Sequence, residues 1–139
     1  MKTLLLNVFT LTFFYLLSVS VYANSDDDFA LGVISESQLL SDFSGFNEKF
    51  QAFSISEQEQ DIIAQWPETL QIDVYFGTWC HDSEREIPKL LKLLKANKHI
   101  TPTLIALDYQ KEDPQALAKG SKVKYTPTII VYRDKNKRD

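Results

Sequence analysis

A single cysteine, Cys80, lies in the stretch YFGTWCHDSEREIP, residues 75–88, with Trp79 immediately before it and a run of helix-forming residues after it. A thiol so placed could act as a nucleophile. At a helix N-terminus the sulfur faces unpaired backbone N–H groups and the positive end of the helix dipole, which stabilise the thiolate and lower its pKa. His81, if protonated, would lower it further, whereas Asp82, Glu84 and Glu86 would press the other way if their side chains approach the sulfur. The residues alone do not sign the net shift, and His81 stays open between a tuning group and a solvated loop residue. His99 reads as a surface residue, and two scattered histidines with one cysteine do not make a zinc site.

The elements that must position this thiol follow from hydrophobic periodicity. LQIDVYFG places Leu70, Ile72, Val74 and Phe76 on one face, yet Val74, Tyr75 and Phe76 form a continuous apolar run, as in a strand covered on both sides. After the cysteine, Ile87, Leu90, Leu91 and Leu94 make one helical stripe, with acids in the first turn and lysines toward the end. TLIALDY predicts a second buried strand, parallel to the first because a helix of crossover length intervenes. Asp113 before Pro114 predicts a capped short helix with proline at its first position and Gly120 as its stop. Thr128 to Tyr132 reads as a β-branched strand.

Upstream, apolar residues from Leu39 to Phe53 recur mainly at three- and four-residue steps, with Gly45 as the expected break, which predicts one broken helix or two short ones. Ser56 and Glu59 form a capping-box pattern, and Pro67 forbids continuation of the helix they begin. FALGVI, residues 29–34, suits either a short edge strand or a segment lying against the domain.

Taken together, Trp79-Cys80-His81-Asp82-Ser83, Pro88 eight residues after the cysteine, and Thr126-Pro127-Thr128 opening a strand resemble the thioredoxin family over about residues 70–132. The likeness extends to exported thioredoxin-like proteins of Gram-negative bacteria that carry W-C-x-D-S in place of W-C-x-x-C. It implies a three-layer α/β/α sandwich with a mixed central sheet, and a site in which Cys80 and Ser83 are catalytic. In that site Trp79, His81, Thr126 and Pro127 would bind substrate. By the resemblance Pro127 follows a cis peptide bond and Thr126 offers its backbone to an extended segment beside the cysteine; the alternative is a trans proline at a strand start. Trp79 would wall the thiol, unless it is an ordinary core aromatic. Pro88 reads as purely structural.

Two departures from the family pattern matter. Ser83 stands where a resolving cysteine would be, so it cannot release a mixed disulfide, although its hydroxyl can donate a hydrogen bond to the Cys80 thiolate. Release then needs an outside thiol or a second cysteine in the substrate. The family's buried acid, six residues before the cysteine, is here Val74, and Asp73 should face the other side. The second departure is that too little follows the strand 128–132 to build a further strand and helix, Asp134 to Asp139 sufficing at most for a turn, so the fold is expected to be C-terminally truncated, with strand exchange in a dimer as the other explanation. The strand 128–132 would then be an exposed edge with an uncovered apolar face.

The whole chain has 139 residues, 44% hydrophobic and 24% charged, which fits one globular domain. Met1-Lys2 precedes an apolar stretch from Leu4 to Ala23 that reads as a secretory signal peptide with cleavage after Ala23 and a periplasmic destination. Left uncleaved, it would tether the domain to a membrane. The division expected is 1–23 signal peptide, 24–69 acidic and helical extension, and 70–139 thioredoxin-like domain. A formal net charge of −4, more negative once Lys2 is removed, argues against nucleic acid. The partners expected are protein or small-molecule thiols and disulfides, with no cofactor. The function expected is monothiol exchange through Cys80; the alternative is a redox-inactive binding or scaffold module on the same fold.

Overall fold

A computed structural model describes residues 28–133. The expectations for the leader, its cleavage point and residues 134–139 lie outside the described residues. Four strands form one mixed sheet in the order β1-β3-β2-β4: β1 (Gly32–Ile34), β2 (Leu70–Phe76), β3 (Thr103–Ala106) and β4 (Thr128–Arg133). The β2–β3 pair is parallel, as the intervening helix requires, while β1 on β3 and β4 on β2 are antiparallel. FALGVI thus yields the edge strand β1.

The helical side of the sheet carries α1 (Glu36–Asp42), α2 (Ser44–Ala52), α3 (Glu57–Ala64) and α4 (His81–Leu94). Ile72, Val74 and Phe76 point into it, as the alternation predicts, and meet Leu39, Phe46, Ile87, Leu91 and Leu94 in the main core. The described part, 28–69, of the stretch expected to be an extension before the domain therefore supplies a strand and two of the largest fully buried core side chains, Leu39 and Phe46. The opposite side is thinner. There Tyr75, Ile105 and Leu107 pack on Ala118 of α5 (Leu117–Gly120), with Val123 and Ile130 at the margin.

These two layers are offset across the sheet. Val33 of β1, which pairs with Ile105, is exposed on the thin side, while Ile129 and Val131 of β4, which pair with Val74 and Ile72, are 43% and 55% exposed on the helical side. Among the described residues β4 is an edge strand, and its uncovered apolar face is the one the sequence predicts.

Two local readings need correction. The helix break falls at Phe43, whose backbone is extended, and not at Gly45, which lies inside α2. Gly45 lies beside Glu84 of α4: a Cβ would sit 2.7 Å from the Glu84 carboxyl carbon, so a larger residue there would push that flexible side chain aside. Likewise Pro114 precedes α5 without opening it, because Ala116 adopts a left-handed conformation between them. Asp113 still caps the segment, accepting from the N–H groups of Gln115, Leu117 and Ala118 at 2.8–3.1 Å. Nor does Gly120 make the reversal; it is the last helical residue. The chain turns at Lys122, in the left-handed region, where the Val123 N–H bonds the Ala118 carbonyl and the Lys122 N–H bonds that of Lys119. This is a Schellman closure, completed by the contact of Val123 with Ala118. The Ser56–Glu59 capping box forms as read.

Candidate functional site

The thiol lies where β2 hands over to α4. Phe76 ends the strand deep in the core, Gly77 turns the chain, and the Cys80 N–H closes that turn on the Gly77 carbonyl at 3.0 Å. Cys80 is the N-cap of α4, with extended backbone angles, and its own carbonyl accepts the first helical bond from Glu84. The sulfur consequently faces amide groups of the first turn that have no partner within the helix. Pro88, buried within the helix, leaves the Glu84 carbonyl without its usual donor.

Ser83 is fully buried beneath the cysteine, and its hydroxyl accepts from the Gly77 N–H at 3.3 Å. That bond leaves the hydroxyl hydrogen for the sulfur. From across the sheet comes Thr126, joined to Pro127 by a cis peptide bond as the resemblance implies. The Cys80 thiol donates to the Thr126 carbonyl at 3.4 Å, a contact between residues 46 apart in the chain.

Partial burial is the largest single influence on the Cys80 pKa and raises it. Hydrogen bonds from the Thr126 and Ser83 side chains and from the amides of Ser83 and Asp82 together outweigh it, so the thiol ionises below its ordinary value. The sign left open by the sequence is thus downward, and it comes from short-range donors. The helix acids are drawn into ion pairs: Arg85 binds Asp82 and Glu86, Lys89 reaches Glu86, and Lys49 of α2 reaches Glu84. His81 is exposed at the first helical position.

Trp79 sits beside the cysteine, half-buried and anchored to its own chain. Its indole N–H donates to the Leu107 carbonyl at 2.9 Å, and its ring stacks on Tyr109 with centroids 4.7 Å apart. The ring also lies against Gly77, where a Cβ would come within 2.4 Å of it. Phe29 meets Tyr109 edge-on, and the Ala30 N–H donates to the Thr78 hydroxyl, so the segment before β1 closes this side of the site. Tyr109, Thr78 and the Leu107 carbonyl were missed by the sequence reading. No spacing rule links a tyrosine after β3 to a tryptophan before α4.

Val74 occupies the position of the expected acid and is fully buried in the main core. Asp73 is buried on the opposite face, the face of its β4 partner Ile130, in keeping with strand alternation.

The structure thus brings Cys80, Ser83, Thr126 and Pro127 together, with Trp79 adjoining and His81 at the rim. A family model described as Thioredoxin matches residues 39–138, and the chain belongs to the thioredoxin family. No curated protein and no solved structure matches. The match begins within α1, so it includes helices that the sequence reading set before the domain.

Proposed function

We propose that the protein carries out monothiol exchange in the periplasm, with Cys80 as its nucleophile. The observation that carries this reading is the position of the Cys80 sulfur, at the N-cap of α4, above the buried Ser83 hydroxyl and 3.4 Å from the carbonyl that precedes cis-Pro127. The exported location rests on the leader-like residues 1–23.

In the reaction, the Cys80 thiolate attacks one sulfur of a substrate disulfide. A new S–S bond forms between Cys80 and that sulfur, the substrate's own S–S bond breaks, and the departing thiolate takes a proton from water. Ser83 stabilises the attacking thiolate but has no sulfur with which to resolve the product. A second thiol, on the substrate or on another molecule, must attack the mixed disulfide to free Cys80. Serine here therefore lengthens the life of the covalent complex at the expense of turnover.

Acid quenching of cells, followed by thiol blocking and non-reducing separation, is the direct test. Mixed disulfides should be captured by the wild type, disappear in Cys80→Ser, and become short-lived in Ser83→Cys. Partner capture that survives unchanged in Cys80→Ser would instead favour a binding module without a redox step.

A further inference from the structure

The loop that delivers Thr126 to the thiol has a charge character of its own. From Pro114 to Arg133 the chain carries four cations, Lys119, Lys122, Lys124 and Arg133, and no acid. Val123 is held inward against Ala118, which leaves Lys122 and Lys124 on either side of it exposed to solvent. Among the described residues neither lysine is in an ion pair, in contrast to the helix acids. Tyr125 follows, 76% exposed, with its carbonyl already bonded by the Thr128 hydroxyl.

Only Tyr125 separates Lys124 from Thr126, a span of at most roughly 7 Å. An ammonium on its flexible stem can therefore reach a ligand bonded to the sulfur. Of the acids nearby, Asp28 and Asp108 lie in sequence beside Phe29 and Tyr109 at the Trp79 stack, while Glu112 and Asp113 line a pocket with Lys119, and the Asp113 carboxylate is taken up by the N–H groups of Leu117 and Ala118. The positive charge nearest Thr126 in the chain is thus that of Lys122 and Lys124, which have no ion-pair partner among the described residues.

Resting on the exchange reaction above, we propose that this loop selects disulfides flanked by carboxylates, with Lys122 and Lys124 receiving the acids and Tyr125 covering the segment between them. Such a substrate is either an acidic polypeptide segment or a small acidic thiol in disulfide form. Electrostatic steering of this kind acts mainly on the rate of encounter and weakens with salt.

Peptides with one cysteine activated as its 2-pyridyl disulfide test this with the folded protein. Attack of Cys80 on the peptide sulfur forms the protein–peptide disulfide and releases pyridine-2-thione, whose absorbance gives the rate. Glutamates are placed before or after the cysteine, and lysine counterparts are compared at low ionic strength. Each rate is divided by that for methyl 2-pyridyl disulfide on the same variant, so that changes in general thiol reactivity cancel.

One acidic isomer should react about fivefold faster than its lysine counterpart, and the ratio should shrink toward one in about 0.5 M salt. Lys122→Asn with Lys124→Gln should abolish the preference; asparagine suits the left-handed position, and Lys124→Gln alone should reduce it by about half. The activated disulfide of glutathione identifies the source: a rate above that of every peptide assigns the carboxylates to a small thiol, and a lower one to a polypeptide. Equal rates for acidic and basic peptides, or a preference that survives the double variant, would overturn the proposal. A thiol that reacts with the methyl reference no faster than free cysteine at neutral pH would overturn the exchange reading itself.

Discussion

The two sides of the sheet hold the two halves of the site with unequal grip. On the helical side, α1, α2 and α4 share a continuous core with β2 and β3, and Cys80 rides on the first turn of the best-packed helix. On the other side a four-residue helix and a few contacts at Ala118 and Val123 support the loop that presents Thr126. The nucleophile is held by the thick layer and its hydrogen-bonding partner by the thin one. A given loss of packing should therefore cost stability on one side and thiol tuning on the other.

Phe46→Ala breaks the thick side most severely. It removes a fully buried ring that packs against Phe43 and Phe76, and the loss should be about 3–5 kcal/mol in a urea titration. Ser83→Ala, at the junction, leaves the Gly77 N–H without its acceptor and should cost about 1–3 kcal/mol. It also removes a donor to the sulfur, so the rise of alkylation rate with pH should move to higher pH than in the wild type.

Val123→Ala sharpens the comparison from the thin side. Its stability loss should be near 1 kcal/mol, yet by loosening the Thr126 loop it should also move the alkylation profile upward in pH. The sign is fixed by the direction of the shift. A thiol that ionises below its ordinary value is already thiolate at pH values where a free thiol is not, and losing a donor reverses part of that. By the same linkage, the depressed pKa favours folding above the unfolded thiol's pKa, and that contribution is lost as pH falls through the folded-state value. Ile129→Thr and Val131→Thr mark the small end: both side chains are exposed at the edge, and stability should change by no more than about 0.5 kcal/mol with the alkylation profile unmoved.

How much of this was legible depended on the range of the interaction. The β2–α4–β3 unit announced itself because its periodicity, helix dipole charges and crossover length are local properties of the chain. The strand faces followed from alternation alone, down to Asp73 turning away from Val74. What escaped was set by tertiary approach. Gly45 looked like punctuation but lies inside α2 against the Glu84 carboxylate, and Lys122 took the left-handed turn position where Gly120 was expected to stop the helix. Leu39 and Phe46 looked like parts of an extension because a helix's partner cannot be read from its own pattern. The thiol pKa was unsigned for the same reason, since its largest lowering influence comes from Thr126, which only the sheet brings near.

The Thr126 side chain, whose hydrogen bond lowers the Cys80 pKa, belongs to a residue 46 positions away and comes near only when β4 lies antiparallel on β2. Contacts of such long sequence separation carry a high loop-closure cost and tend to form late, after local units such as β2–α4–β3. A chain that has folded its first strands and helices but not yet docked β4 would therefore carry a thiol without its largest lowering influence, held only by Ser83 and the amides of the first turn of α4. Its thiolate would miss one donor during assembly and gain it on completion. Reactivity is in this sense a partial report of folding: Cys80 completes its set of donors when the last described strand is in place.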